Sequence, residues 1–326
     1  MLHTYNLPGE PNPRTEPADT NTELRAESMV VVFIPPTAWA NTSKGLTRVR
    51  FRPQIRNRIR CSQGCPVIVT GSGGGLGKSI AEAYLAAGAN VVISDINQSR
   101  IDAVAAEYRD TYAGRLHAIA VDVTSEASVA ALVQGAVDRF GRLDVLVNNA
   151  GVMDKFDPAG ECAKDTWDSV LAVNLTGPFL ATKAAVNQFL AQGATSASGG
   201  PPGLIINIGS NASFRGLCSG VAYTASKHGL MAVTKNTAGF YGDKGIYSIA
   251  LLLGGMDTTN IMDAFATGVN QEGMMKTVTA QPEYKRGETG LDPAAVAKYC
   301  IFLTDKDIAS SANGSCITFN KNWPYA

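Results

Sequence analysis

The chain has 326 residues, 28 basic and 28 acidic, with 45% apolar side chains; it can bury a sizeable core and is too evenly charged for a basic nucleic-acid surface. Cysteines at 61, 65, 162, 218, 300 and 316 are too scattered for a disulfide framework, and Cys61-x-x-x-Cys65 lacks a second ligand pair for zinc, so reduced thiols, no metal and a cytoplasmic location are expected. The longest apolar run of the leader, Met29 to Ile34, is far too short to span a bilayer and follows five acidic residues, so neither a secretory signal nor membrane insertion is expected.

Residues 1–65 contrast with the rest. They hold prolines at 8, 11, 13, 17, 35, 36 and 53, no sustained periodicity, and a basic run of Lys44, Arg48, Arg50, Arg52, Arg56, Arg58 and Arg60. This composition reads as a poorly ordered extension ahead of a domain at 66–326. The arginine-rich part reads either as a solvated tail, the plainer reading, or as a targeting or anionic-surface patch.

From Val67 the pattern changes. Val67-Ile68-Val69 is a β-branched run suited to a parallel strand buried on both faces, and Leu76 onward favours a helix. Glycines fill the join: Gly71 to turn the backbone, Gly75 to clear space for a pyrophosphate, Gly77 to let helix and strand pack closely. Amides at the helix start would face the phosphates. Further strands are expected at Val91–Asp95, Ala118–Val121, Val145–Val147, Leu204–Ile208, Ile246–Leu252 and near Cys316–Phe319. Helices are expected at about 99–112, 125–140, 165–173, 177–190, 222–241 and 293–303, with a surface loop at 193–203 and a long connection at 254–292. Strands alternating with helices predict one α/β domain, a doubly wound, seven-stranded parallel sheet of the Rossmann type flanked by helices.

Ligands of such a sheet lie beyond the carboxyl ends of its strands. Asp95 ends the second strand, where its carboxylate would accept both adenine-ribose hydroxyls and repel a 2′-phosphate, favouring NAD(H) over NADP(H); the rival reading is a turn or helix-capping aspartate. Tyr223 and Lys227 stand four apart on one helix face. A phenol titrates near pKa ~10, so acid–base work near neutrality needs its phenolate stabilised, which a neighbouring ammonium together with the positive nicotinamide ring of an oxidised cofactor can do. Taken alone, such a pair reads more simply as a snorkelling surface pair.

The ordered set Thr70-Gly71-x-x-x-Gly75-x-Gly77, Asp122, Asn148-Asn149-Ala150-Gly151, Asn174, Ser210 thirteen residues before Tyr223, and Tyr223-x-x-x-Lys227 resembles the short-chain dehydrogenase/reductase family over about 66–326. The resemblance implies a Ser210, Tyr223, Lys227 and Asn174 catalytic set, with Tyr223 exchanging a proton with the substrate oxygen, Ser210 holding that oxygen, Lys227 lowering the tyrosine pKa and binding ribose, and Asn174 ordering a water. It implies cofactor contacts from Gly71, Gly75, Leu76, Gly77, Asp95, Ile96, Asp122, Val123, Asn149, Ala150, Gly151, Tyr223, Lys227, Met256 and Thr258. Departures stand at Leu253-Gly254, where the family has Pro-Gly, at Ser248 and Ile249, and at Asn320-Lys321-Asn322, where it has Asp-Gly-Gly; altered cofactor affinity or oligomer packing is expected there.

The long connection supplies Met256, Ile261, Met262, Phe265, Val269, Met274 and Met275, while Met153, Phe214 and Leu217 add apolar surface from neighbouring loops. Such a lining suits an apolar, alicyclic ketone or secondary alcohol; packing of the loop onto the core explains the same residues equally well. The expected function is NAD-dependent interconversion of alcohol and ketone, with a non-redox isomerase or cyclase, or a cofactor-binding scaffold, as the alternatives. Helices 177–190 and 222–241 resemble those through which family members form dimers and tetramers, so a homodimer or homotetramer is expected.

Overall fold

Alternation along β1, Pro66–Thr70, sends Val67 and Val69 into one hydrophobic cluster and Ile68 into another, and all three are fully buried. A strand covered on both faces is a parallel strand, and the computed structural model continues this pattern across the molecule. It describes residues 64–193, 203–257, 265, 268–281, 285 and 287–321. The expectations for the extension and Cys61, for the loop at 194–202, and for Thr258, Ile261, Met262 and Asn322 lie outside the described residues.

The remaining strands are β2 (Asn90–Asp95), β3 (Leu116–Ala120), β4 (Val145–Asn148), β5 (Gly203–Ser210), β6 (Ile246–Leu253) and β7 (Cys316–Phe319). All pair in parallel in the order β3-β2-β1-β4-β5-β6-β7. The winding reverses between β1 and β4, which opens a crevice at their carboxyl ends. Helices α1 (Gly75–Ala86), α2 (Gln98–Tyr108) and α8 (Pro293–Leu303) cover one face, where the Tyr84 hydroxyl bonds the Cys300 carbonyl at 3.1 Å and Thr304 Oγ1 at 3.0 Å. Helices α3 (Glu126–Phe140) and α5 (Gly177–Gln192) cover the other, and the Phe189 ring lies so close over Gly203 that a Cβ there would collide with it. Helix α6 (Val221–Tyr241) lies along β5 and β6.

Between α4 (Lys164–Leu171) and α5, a single π-helical turn at Ala172–Thr176 replaces the expected break, so the helical stretch runs on from 164 to 192. By length and composition alone those 29 residues could cross a membrane; half of their apolar window is buried in this fold. α2 ends four residues earlier than expected, in turns leading to Gly114, which takes φ +79°. Two short helices were not anticipated, α7 (Gln271–Thr279) and α9 (Lys306–Ser311). Each starts from a capping side chain: Asn270 accepts the Gly273 N–H, and Asp305 accepts those of Asp307 and Ile308.

Candidate active site

The turn after β1 is glycine for three separate reasons. Gly71 takes φ +63° and a Cβ on it would stand 2.7 Å from the Ala150 backbone; Gly75 takes φ +52°; a Cβ on Gly77 would run into the Gly71 carbonyl and the Asn149 amide. Helix α1 then starts with no capping side chain and no acidic residue in its first turn, leaving its amides to an anion. Asn149 locks the turn to the end of β4: Nδ2 donates to the carbonyls of Thr70 and Gly71 at 2.9 and 3.0 Å, while Thr70 Oγ1 accepts the Asn149 and Ala150 N–H groups at 3.0 Å each. A cradle that any added Cβ would fill, beside an uncapped helix start, fits a dinucleotide pyrophosphate.

Asp95 Oδ2 accepts the Gly73 N–H at 3.2 Å and Oδ1 that of Asn97 at 3.0 Å, so this carboxylate already braces the turn while remaining partly exposed. Ile96 projects outward, 74% exposed, whereas Leu76 is buried in the core. The Asp122 carboxylate accepts from the Thr124 amide and hydroxyl, and Val123 packs against the start of α5 at Gly177. Arg100, in the first turn of α2, was not anticipated; its Cβ lies 2.8 Å from where a Cβ on Gly73 would stand, beside the Asp95 carboxylate.

Ser210 at the end of β5 and Tyr223 in the first turn of α6 come together at the carboxyl edge of the sheet, close enough for the serine side chain to lower the pKa of the phenol. Lys227, buried, donates from Nζ to the Ile208 carbonyl at 2.9 Å and lies 5.5 Å from the centre of the Tyr223 ring. The chain's own groups do not by themselves acidify the phenol. Burial pushes Tyr223 up to about 12, against the opposite effect of Ser210, and burial pulls Lys227 down to about 8. Desolvation is the largest cause at both groups.

Asn174 sits in the π turn, fully buried. Its Oδ1 accepts the Val152 N–H at 2.8 Å, and its Nδ2 donates to the Val152 carbonyl at 2.9 Å and to Ser226 Oγ at 3.2 Å. Oδ1 also lies 3.2 Å from where a Cβ on Gly151 would stand, and Lys227 Nζ 3.8 Å, so Gly151 leaves both polar groups room at the crevice floor. Such single π turns recur at functional sites because they turn one side chain out of helical register.

Of the apolar candidates, Met153 packs in the small cluster that holds Tyr223, Phe214 and Leu217 are surface-exposed, Met256 packs into the sheet-side core, and Phe265 stacks on Phe156 at 5.5 Å. Two clefts flank the segment before α6. One of about 400 Å³ runs between Phe156, Pro158, Ser219, Thr224 and Gly273; the other, about 450 Å³, lies against Met275, Lys276, Thr279 and Ala280. Leu217 borders both, and neither is lined by Ser210 or Tyr223.

Sequence reading also passed over Asp154. It is 2% exposed, and its carboxylate accepts the N–H groups of Phe156, Gly220 and Tyr223 at 3.0, 3.0 and 2.9 Å. The signal was an acidic residue directly after the apolar pair Val152 and Met153. At the departures, a Cβ on Gly254 would come within 3.1 Å of the Asn320 backbone, a tight contact. Asn320 Nδ2 donates to Asn211 Oδ1 at 3.3 Å, and Lys321 takes φ +54° with Nζ donating to the Gly290 carbonyl at 2.7 Å.

A family model described as short chain dehydrogenase matches residues 66–268. The chain is 45% identical over 256 residues to a short chain dehydrogenase/reductase, dpchG, of Colletotrichum higginsianum, covering 78% of this chain and 92% of the relative. It is 34% identical over 266 residues to 3beta-hydroxysteroid dehydrogenase 2 of Eggerthella lenta, covering 80% and 95%. Among solved structures it resembles a 3-ketoacyl-(acyl-carrier-protein) reductase from Brucella melitensis complexed with NADH, at 28% identity and a TM-score of 0.67 over 79% of this chain and 98% of that one. It also resembles an actinorhodin polyketide ketoreductase with NADPH, at 25% identity and a TM-score of 0.68 over 81% and 98%.

Proposed function

Since the chain belongs to the short-chain dehydrogenase family and is an oxidoreductase of that kind, we propose that it interconverts a secondary alcohol and a ketone on an apolar, alicyclic small molecule with NAD(H). The observation that carries this reading is the placing of Ser210 and Tyr223 together at the carboxyl edge of β5, with buried Lys227 beside the tyrosine ring. Gly71, Gly75, Gly77 and the α1 amides would hold the pyrophosphate, Asp95 the adenine ribose, and Lys227 with the Asn149–Gly151 floor the nicotinamide end. A nicotinamide cofactor held there would supply or accept the hydride.

The residues of the chain handle the proton. Tyr223 Oη protonates the carbonyl oxygen in reduction and removes the hydroxyl proton in oxidation. Ser210 donates to the same oxygen and holds it in line. Lys227 keeps an ammonium within reach of the phenolate, and because burial has lowered its affinity for a proton to about 8, it is also suited to passing one on. Asn174 fixes the backbone at Val152.

For the cofactor, the carboxylate at Asp95 supports NAD(H), since a 2′-phosphate there would meet a like charge. The apolar surface of Met153, Phe214 and Leu217 supports a lipophilic substrate, and the hydroxysteroid dehydrogenase among the relatives is in keeping with an alicyclic one. The described cysteines are free thiols, in keeping with a cytoplasmic enzyme.

The test is a panel of lipophilic ketones and alcohols assayed with NAD(H) and NADP(H) side by side, for wild type and Tyr223→Phe. Turnover with NAD(H) that falls by a factor of about 10³ or more in the variant is expected. Equal rates in the two proteins would remove Tyr223 from the chemistry. Turnover with no net change in reduced cofactor would mean an isomerase.

A further inference from the structure

We infer that Asp154 is a positioning residue for Tyr223: from the connection after β4 it caps the start of α6 and sets where the phenol stands. This inference rests on the proposed role of Tyr223. Helix α6 opens on Gly220, which has no side chain with which to cap it. Asp154 does the work from outside the helix. Its Oδ2 accepts the N–H of Tyr223, third residue of the helix, at 2.9 Å, and its Oδ1 accepts that of Gly220 at 3.0 Å. In a local capping box two different side chains make these two bonds. Here one carboxylate makes both, 66 and 69 residues away in the chain. The neighbouring Asp157 carbonyl takes the Val221 N–H at 2.9 Å, so the amides of Gly220, Val221 and Tyr223 are all docked on the segment 154–157.

Two further observations show that the fit is built rather than incidental. A Cβ on Gly220 would stand 2.6 Å from Asp154 Oδ2 and 2.7 Å from the Asp157 nitrogen, so the helix starts with glycine because the carboxylate fills the space a side chain would need. Phe156, whose N–H also bonds Asp154 Oδ1, is held at φ +65°, a conformation an aromatic residue adopts only when its surroundings impose it.

The carboxylate also acts on the phenol through space. Tyr223 is faced by Lys227 on its own helix, Cys218 from the segment before it, Ser210 from β5 and Asp154 from the β4 side, with Asp157 and Cys162 beyond Asp154. Asp154 and Cys218 raise the tyrosine's affinity for its proton, and Ser210 lowers it. A misplaced or neutralised Asp154 therefore alters both the position of Tyr223 and its titration.

The experiment uses Asp154→Asn, which keeps the shape, removes the charge and turns an amide donor toward N–H groups. Phenol ionisation is read without substrate, as the ultraviolet difference between each protein and its Tyr223→Phe counterpart. Expected are a fall in kcat of roughly tenfold to a hundredfold, cofactor Kd within about twofold of wild type, and a Tyr223 titration moved to lower pH. A folded variant with wild-type kcat, or one whose kcat falls while the phenol titration stays in place, overturns the inference. Should Asp154→Asn not fold, Gly220→Ala decides, because it pushes the carboxylate away with its charge retained: reduced kcat at unchanged cofactor affinity supports the positioning role, and wild-type kcat overturns it. An active Tyr223→Phe would instead sink the proposed role of the tyrosine.

Discussion

Lys227 and Tyr223 are driven in opposite directions by one cause, and the consequence is measurable on the protein without ligands. Burial takes the lysine from 10.5 down to about 8, so between those values the unfolded chain binds the extra proton and stability rises with pH. Burial takes the tyrosine from 10.0 up to about 12, so across that window the folded chain keeps the proton and stability falls as pH rises. Each effect is on the order of 3 kcal/mol when complete. In urea titrations, wild type should therefore gain on Lys227→Met as pH goes from about 8 to 10; a difference between the two that stays flat over that range contradicts the assignment. The glycines allow a sharper comparison. A Cβ on Gly77 meets the Gly71 carbonyl and Asn149, whereas one on Gly216 meets nothing within 4 Å. Gly77→Ala should cost about 1–3 kcal/mol and at least tenfold in cofactor affinity, and Gly216→Ala should leave both unchanged, as calorimetry and cofactor titration would report.

At the scale of elements, the sheet is tied to its helices by a buried polar ladder. Asn148 Nδ2 on β4 donates to Asn207 Oδ1 on β5 at 2.8 Å and to Thr182 Oγ1 on α5 at 3.2 Å; Asn207 Nδ2 reaches Thr234 on α6 at 2.9 Å and Ser248 on β6 at 3.4 Å. Replacing Asn207 with Leu takes from the Asn148 amide its 2.8 Å acceptor, leaves it only the longer bonds to Thr182 and the Pro178 carbonyl, and breaks the links to Thr234 and Ser248, so a loss of about 1–3 kcal/mol is expected, seen as a lower urea midpoint at an unchanged m-value. Little of this ladder was legible in the sequence. The strands and the glycine turn were, because short β-branched runs and the spacing of Gly71, Gly75 and Gly77 are local signals, and so was the Tyr223–Lys227 face, which one helical period creates. Asn207 and Asp154 were not, since what defines them is a partner brought close only by the fold. The short helices α7 and α9 were missed for a related reason: only their caps, Asn270 and Asp305, announce them, and neither carries a long amphipathic period. Nor was the depth at which the Tyr223 phenol is buried legible: no spacing rule conveys it, and it pushes the phenol's pKa up.

For the molecule as a whole, the outer surfaces of α5 and α6 raise the question of what covers them. Phe179 and Leu190 on α5 are 49% and 45% exposed, and Phe240 near the end of α6 is 68% exposed. Single exposed apolar residues are ordinary, but three large ones on two helices of the same enzyme, with the polar Lys183 held aside by Glu126 on α3, leave surface that a second copy of this chain would bury. We propose a homodimer or homotetramer built on these helices, in keeping with the expectation from the resemblance. A stable pair needs about 800 Å² from each partner, more than the three side chains supply, so the neighbouring faces of both helices must take part. Phe240→Asp places a charge at the most exposed of these points without touching Ser210, Tyr223 or Lys227. Light scattering at micromolar concentration should give a multiple of 34.2 kDa for wild type and a shift toward that mass for the variant. A wild-type mass of one chain would refute the oligomer, while an unshifted multimer of the variant would move the interface away from Phe240.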